Sequence, residues 1–162
     1  MIFQRSIKNS VSAVGVGLHS GRKVCIELKP AKVDAGIIFK RTDIRPPIEI
    51  KVEPQAIKET RLSSTIGKGK IKISTVEHLM SALSASGIDN ILIEVDGSEI
   101  PIMDGSSISF VYLIKSAIVY EQSELKKFAV IKDVIQVKDG EKFAKFEPYK
   151  GFLVDFTIDF PH

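Results

Sequence analysis

Tryptophan is absent from this 162-residue chain, cysteine occurs once and histidine three times. A single thiol, Cys25, cannot build an internal disulfide framework or a Cys-rich zinc module, and a reducing compartment is the simplest expectation. An excess of one charge is missing too: 23 basic residues stand against 20 acidic ones, net +3, a mixed surface rather than a basic tail. The local cluster Lys68, Lys70 and Lys72 has no aromatics interleaved with it and reads as a solvated hairpin tip, so no nucleic-acid partner is expected. No apolar run approaches the roughly 18 residues of a membrane span, and the start Met1, Ile2, Phe3, Gln4, Arg5, Ser6 lacks the apolar core of a secretory signal. The expectation is a soluble, cytoplasmic chain with no transmembrane segment.

What is present is enough for a core, since 44% of the residues are apolar. Strand patterning dominates the first seventy positions. Val24, Ile26 and Leu28 alternate with Lys23, Cys25 and Glu27, and Ile48, Ile50 and Val52 alternate with Glu49, Lys51 and Glu53, as one-sided burial of a sheet requires. Gly21, Pro30 and the pair Pro46, Pro47 mark the breaks. A helix is expected from near Ser74: Ser74 to Glu77 fits a capping box, Val76, Leu79, Met80 and Leu83 form an apolar stripe, and Gly87 is a stop. A strand over Asn90 to Val95 and a second helix carrying Phe110, Val111, Leu113, Ile114, Ala117 and Ile118 follow.

The fold class expected is α+β, a two-layer sandwich of a mostly antiparallel sheet with two packed helices. Residues 1–120 read as a complete first domain and the polar stretch 121–127 as a linker. Residues 128–162 read as a three-strand meander that either packs on the first domain or opens a second, incomplete one. In the last strand Phe152, Val154, Phe156, Ile158 and Phe160 share one face, and a sheet of some 35 residues does not bury such a face by itself. An uncovered face of this kind favours self-association of the chain.

Glu77 and His78 open the first helix. Turning about 100° per residue places His78 away from the apolar stripe, beside Ala82 and Ala85, with Glu77 at its flank. A carboxylate next to a metal-ligating imidazole is a natural base for water. On spacing alone, Glu77 as a capping residue and His78 as a surface residue is the commoner reading, because catalytic zinc takes three protein ligands and no H-E-x-x-H occurs. The Gly15-to-Gly21 segment, which carries His19, suits a tight turn or a close ligand approach but is not a dinucleotide fingerprint. Asp104, Gly105 and Ser106 read as a cap for the second helix.

Taken together and in order, Gly15–Gly21, Arg41–Asp43, Ile73–Leu79, Gly87–Asn90, Glu99–Ser106 and Asp155–Phe160 resemble the zinc-dependent UDP-3-O-acyl-N-acetylglucosamine deacetylases of lipid A biosynthesis. The resemblance runs from Ile2 to the last residue. It implies two similar α+β domains with the active site between them, in proteins roughly twice this length, so this chain reads as an amino-terminal portion. By resemblance His78 is one of three Zn2+ ligands and Glu77 is the general base. The other two ligands belong to an H-K-x-x-D helix expected beyond His162, as does a histidine acting as general acid.

The implied reaction is hydrolysis of the acetamide on the glucosamine 2-nitrogen of UDP-3-O-acyl-N-acetylglucosamine, releasing acetate. Leu62 matches a position along the acyl-chain passage, with Ser63 where relatives often carry Cys, while Lys142 and Phe160 match positions that contact the uridine diphosphate. His19 and Asp104 are near-site residues of unassigned role. With one ligand, the isolated chain is expected to be inactive. The alternative is a non-catalytic module that binds a nucleotide sugar or another protein.

Overall fold

Alternating apolar residues become one buried sheet face in this protein, whose computed structural model describes residues 1–159. In chain order the strands are β1 (Phe3–Ile7), β2 (Val11–Val16), β3 (Lys23–Pro30), β4 (Ile37–Arg41), β5 (Ile48–Lys51), β6 (Ile57–Glu59), β7 (Thr65–Lys68), β8 (Ile71–Ile73), β9 (Ile91–Val95), β10 (Val119–Leu125), β11 (Ile135–Asp139) and β12 (Lys142–Phe146). Helix α1 (Glu77–Ala85) lies between β8 and β9, and α2 (Ile108–Ser116) between β9 and β10. The chain divides into two units, Met1–Lys126 and Lys127–His162. Two helices on mostly antiparallel sheets make this an α+β fold, as expected from the pattern.

The principal sheet of the first unit has the order β2-β3-β9-β4-β5. All its pairs are antiparallel except β4 with β9, where Phe39 stands opposite Ile93. Val24, Ile26, Leu28, Phe39, Ile50, Ile91, Ile93 and Val95 are all buried on one face. Leu79, Ala82 and Leu83 of α1 and Phe110 and Ile114 of α2 join them in a single core. The opposite face is polar: Lys29 Nζ lies 2.7 Å and Lys40 Nζ 3.1 Å from the Glu94 carboxylate. One apolar and one charged face is what period-two alternation encodes.

Two further sheets complete this unit. The β6-β7-β8 sheet ends in the hairpin turn at Gly69 and Lys70, and β1 pairs antiparallel with β10. The second pairing differs from the expectation that residues 121–127 form a linker. The stretch is polar and mostly exposed yet paired: Arg5 bridges to Glu121 at 3.1 Å, and Gln122 accepts from Asn90 and donates to the Ala31 carbonyl. The first unit therefore runs through Lys126 rather than stopping near residue 120.

In the second unit β11 and β12 form a hairpin in which Asp139 pairs with Lys142 around Gly140. The expected third strand is not formed over residues 152–159, and Phe160 lies outside the described residues. Alternation states which face of a segment is fit for burial; a strand also needs a neighbouring ladder, and none pairs with this segment among the described residues. Every described residue of this unit is exposed except the half-buried Ile131.

Candidate active site

The chain enters α1 through a sharp turn at Thr75, a β-branched residue with φ +58. The capping box expected over Ser74 to Glu77 does not form, and Val76 occupies the cap position without a side-chain bond. Tertiary partners have taken both of its members. The Ser74 hydroxyl donates to the Ser98 carbonyl, and one Glu77 carboxylate oxygen, Oε2, accepts the Ser64 backbone N–H at 3.0 Å. Val76 N–H in turn donates to the Ser64 carbonyl, so the loop before β7 is stitched to the first turn of α1. The helix ends as the sequence indicated: Gly87, at φ +69, follows the cap, and Ile88 N–H reaches back to the Leu83 carbonyl.

Glu77 and His78 are both half-buried. The imidazole of His78 has no hydrogen-bond partner among the described residues, and neither ring nitrogen is sealed from solvent. Leu62 sits two residues before Ser64, in the loop stitched to Glu77, with φ +62 and a side chain 85% exposed. The structure thus brings the loop that carries Leu62 to the first turn of α1, which holds Glu77 and His78.

The residue left without a role by sequence pattern is Glu99. It is 2% exposed, and its Oε1 accepts both the His19 N–H at 2.9 Å and the Thr75 hydroxyl at 3.1 Å. Its other oxygen accepts the Ser20 N–H at 2.8 Å. Burial opposes its charge, but the His19 N–H, the Ser20 hydroxyl and N–H and the Thr75 hydroxyl together hold the carboxyl below its ordinary range. Gly17 is buried against this carboxylate, and a Cβ there would overlap both Glu99 and the Ser20 hydroxyl. Sequence pattern gives Glu99 no role because its partners lie 24 to 80 positions away.

His19 is exposed and reaches this cluster through its backbone, one shared carboxylate oxygen away from Thr75. Asp104 is also exposed. Its segment joins the His19 loop, since Ile102 N–H donates to the Val16 carbonyl and Met103 packs on Gly15. The Ser106 N–H and the Ser109 hydroxyl hold the Asp104 carboxyl below its ordinary range. Ser107, not Asp104, occupies the cap position of α2, without a side-chain bond, and the Ser106 hydroxyl before it accepts the Ile108 N–H. Lys142 begins β12 in the second unit and is exposed. Phe160 and His162 lie outside the described residues.

Catalytic zinc takes three protein ligands. The described residues contain no group of three His, Cys, Asp or Glu placed to hold a metal. His78, with both nitrogens accessible beside a held carboxylate, fits one corner of such a site; this chain's described residues do not close it. Two cavities occur elsewhere. One of about 130 Å³ is lined by Ser20, Arg22, Lys23, Arg41, Asp43 and Asp96 among others, and a groove of about 520 Å³ runs between β5 and β7. Neither is lined by Glu77, His78 or Leu62.

The likeness to known proteins runs along nearly the whole chain. Residues 4–162 match the family described as UDP-3-O-acyl N-acetylglycosamine deacetylase. A protein named UDP-3-O-acyl-N-acetylglucosamine deacetylase from Thioalkalivibrio sulfidiphilus (strain HL-EbGR7) is 52% identical over all of this chain, which covers 53% of that protein. Proteins of the same name from Teredinibacter turnerae (strain ATCC 39867 / T7901) and Aliivibrio fischeri (strain ATCC 700601 / ES114) are 52% and 50% identical, with 54% and 53% of their lengths covered. The chain spans about half the length of the curated relatives it matches. With a family match that begins at Gln4 and takes in every segment of the site, this chain belongs to the UDP-3-O-acyl N-acetylglycosamine deacetylase family.

Proposed function

We propose that this chain supplies one wall of a zinc-dependent deacetylase active site acting on UDP-3-O-acyl-N-acetylglucosamine in lipid A biosynthesis, in the cytoplasm of a Gram-negative cell. The supporting observation is the head of α1, where a Glu77 carboxylate anchored by the Ser64 N–H stands next to a His78 imidazole with no hydrogen-bond partner among the described residues. In this reading Glu77 Oε2 keeps its backbone donor, which fixes the carboxylate, while Oε1 takes a proton from the water that attacks the acetyl carbon. Cleavage of the carbon–nitrogen bond then releases acetate, and the departing amine takes up a proton from an acid supplied outside this chain. His78 would hold the metal together with ligands from outside this chain; when bound, zinc supplies Lewis-acid polarisation of the acetyl carbonyl. The exposed Leu62 side chain offers apolar contact to the acyl group. Lys142 offers a cation to the diphosphate and Phe160 an aromatic face to the uracil.

Completion of the second domain by further sequence is part of this proposal, and so is inactivity of residues 1–162 alone. The coverage of about half of each relative supports both. The test compares two proteins. The chain of 162 residues is expected to bind no stoichiometric zinc and to release no acetate, whereas the complete protein turns over UDP-3-O-acyl-N-acetylglucosamine and loses about 10²–10⁴-fold in kcat on Glu77→Gln. Turnover by the 162-residue chain, or an unchanged kcat in the Glu77→Gln protein, would overturn the assignment.

A further inference from the structure

We propose that Glu99 is a positioning residue: one buried carboxylate fastens the His19 loop to the Thr75 turn and so sets where Glu77 and His78 stand. What is positioned rests on the deacetylase reading above; the fastening itself does not.

Three observations carry the inference. The first is the donor set. The His19 and Ser20 N–H groups come from the loop after β2, and the Thr75 hydroxyl from the turn that starts α1, so no other described side chain bonds both segments at once. The second is the absence of a cation. Asp43 is paired with Arg41 and Glu94 with Lys29 and Lys40, but Glu99 has no ion pair among the described residues and is satisfied by neutral donors alone. A buried carboxylate balanced by oriented dipoles depends on each of them, because an unmade bond leaves charge without solvation. The third is the lack of slack. Gly17 leaves no room for a Cβ against the carboxylate, and Gly21 N–H closes the loop on the Gly17 carbonyl.

Thr75 shows what the fastening accomplishes. A β-branched residue at φ +58 is unfavourable and persists where its surroundings fix it. Here its hydroxyl is held by Glu99, while the flanking Ser74 and Val76 N–H groups donate to Ser98 and Ser64. The reversal at Thr75 is what turns Glu77 toward the Ser64 N–H and leaves His78 beside it. Released from Glu99, the turn relaxes, and a carboxylate and imidazole two and three residues along shift with it. A displacement of about 1 Å at a reacting group costs about 10²-fold in rate.

The experiment has two arms and two variants. Glu99→Gln keeps the volume but sets an amide NH2 against one of the present donors, and Thr75→Val removes one donor at nearly constant shape. In the 162-residue chain, hydrogen exchange by NMR is expected to quicken at the His19 and Ser20 amides in Glu99→Gln, with β3 and β9 amides unchanged. In the complete protein, kcat is expected to fall about 10²-fold in Glu99→Gln and about tenfold in Thr75→Val, with KM nearly constant, since orientation rather than binding is lost. Unchanged exchange at His19 and Ser20 in both variants overturns the proposal. So does a loss of kcat that vanishes when the temperature is lowered until the variant is fully folded, the behaviour of a merely structural residue. If Glu99→Gln does not fold, Thr75→Val decides both arms. If the unsubstituted complete protein releases no acetate, the deacetylase reading fails by itself, and the exchange arm still decides whether Glu99 fastens the two segments.

Discussion

The two units carry the same pattern to opposite ends. Val24, Ile26 and Leu28 alternate in β3 and are 3%, 0% and 0% exposed, whereas Phe152, Val154, Phe156 and Ile158 alternate as regularly and are 91%, 68%, 77% and 58% exposed. What differs is the second layer. In the first unit α1 and α2 lie over the sheet and contribute Leu79, Leu83, Phe110 and Ile114 to the core. In the second, the described elements are a single hairpin, β11 with β12. Alternation therefore encodes which side of a strand is fit for burial, while burial itself is a property of layers.

The largest effect that would break or sharpen this contrast is a pair of phenylalanine truncations. Phe39→Ala removes a fully buried ring from the centre of the principal sheet and is expected to destabilise the first unit by about 3–5 kcal/mol in urea unfolding. Phe156→Ala removes a ring 77% exposed and is expected to cost no more than about 0.5 kcal/mol. Equal costs would show that the second unit is buried to the same degree. A smaller loss is expected at Arg41, 8% exposed, whose guanidinium bonds both Asp43 oxygens at 2.7 Å and the Lys72 carbonyl at 2.6 Å. Arg41→Ala leaves that carbonyl and the exposed Asp43 without their donor, for about 1–3 kcal/mol by the same measurement. Lys at this position would restore charge but not the two-pronged bond.

This contrast is unevenly legible in the residue pattern. The sheet face of β3, the stripe of α1 and its stop at Gly87 are local, and local periodicity reveals them. The polar residues of β10 misled, because Glu121 and Gln122 are satisfied by Arg5, Asn90 and Ala31, up to 116 positions away, and polarity counts without partners read as solvent. The same non-local bonding hid the start of α1, where Ser98 and Ser64 displace a capping box that the local order of residues allows. At the site, Glu77 and His78 were visible as a carboxylate beside an imidazole, but their anchoring through Ser64, and the whole role of Glu99, depend on contacts across the fold.

Acid sharpens the view of the first unit. Asp43 is held below its ordinary 3.8 mainly by its bond to Arg41, and Glu99 below its ordinary 4.5 against burial by its four donor contacts. A carboxyl with a depressed folded value contributes stability that is present above its unfolded value and is lost as pH falls through the folded one. Stability of the first unit is therefore expected to drop as pH falls below about 4.5, through both Glu99 and Asp43. Glu99→Gln removes the first contribution, so the gap in urea midpoint between it and the unsubstituted protein should narrow over that window. A gap that stays constant down to pH 3 would mean that Glu99 is not a charged group in the folded state.

The smallest effect gives the cleanest match between the units. Gly87 ends α1 at φ +69, and Gly140 turns the β11–β12 hairpin at φ +60. A Cβ at Gly87 meets nothing closer than the Arg5 side chain at 3.5 Å, and one at Gly140 meets nothing within 4 Å. Alanine at either position thus adds backbone strain and almost no steric conflict, about 1 kcal/mol in each case. At Gly87 the strain is loaded onto a helix whose Leu79 and Leu83 belong to the core, so the urea midpoint of the whole first unit is expected to fall. At Gly140 it falls on a hairpin with every side chain exposed, and is expected as faster amide exchange across 135–146 with the midpoint of the first unit unmoved. If Gly140→Ala shifts that midpoint as far as Gly87→Ala does, the hairpin shares the cooperative core, and the difference in burial between the two units does not carry over into stability.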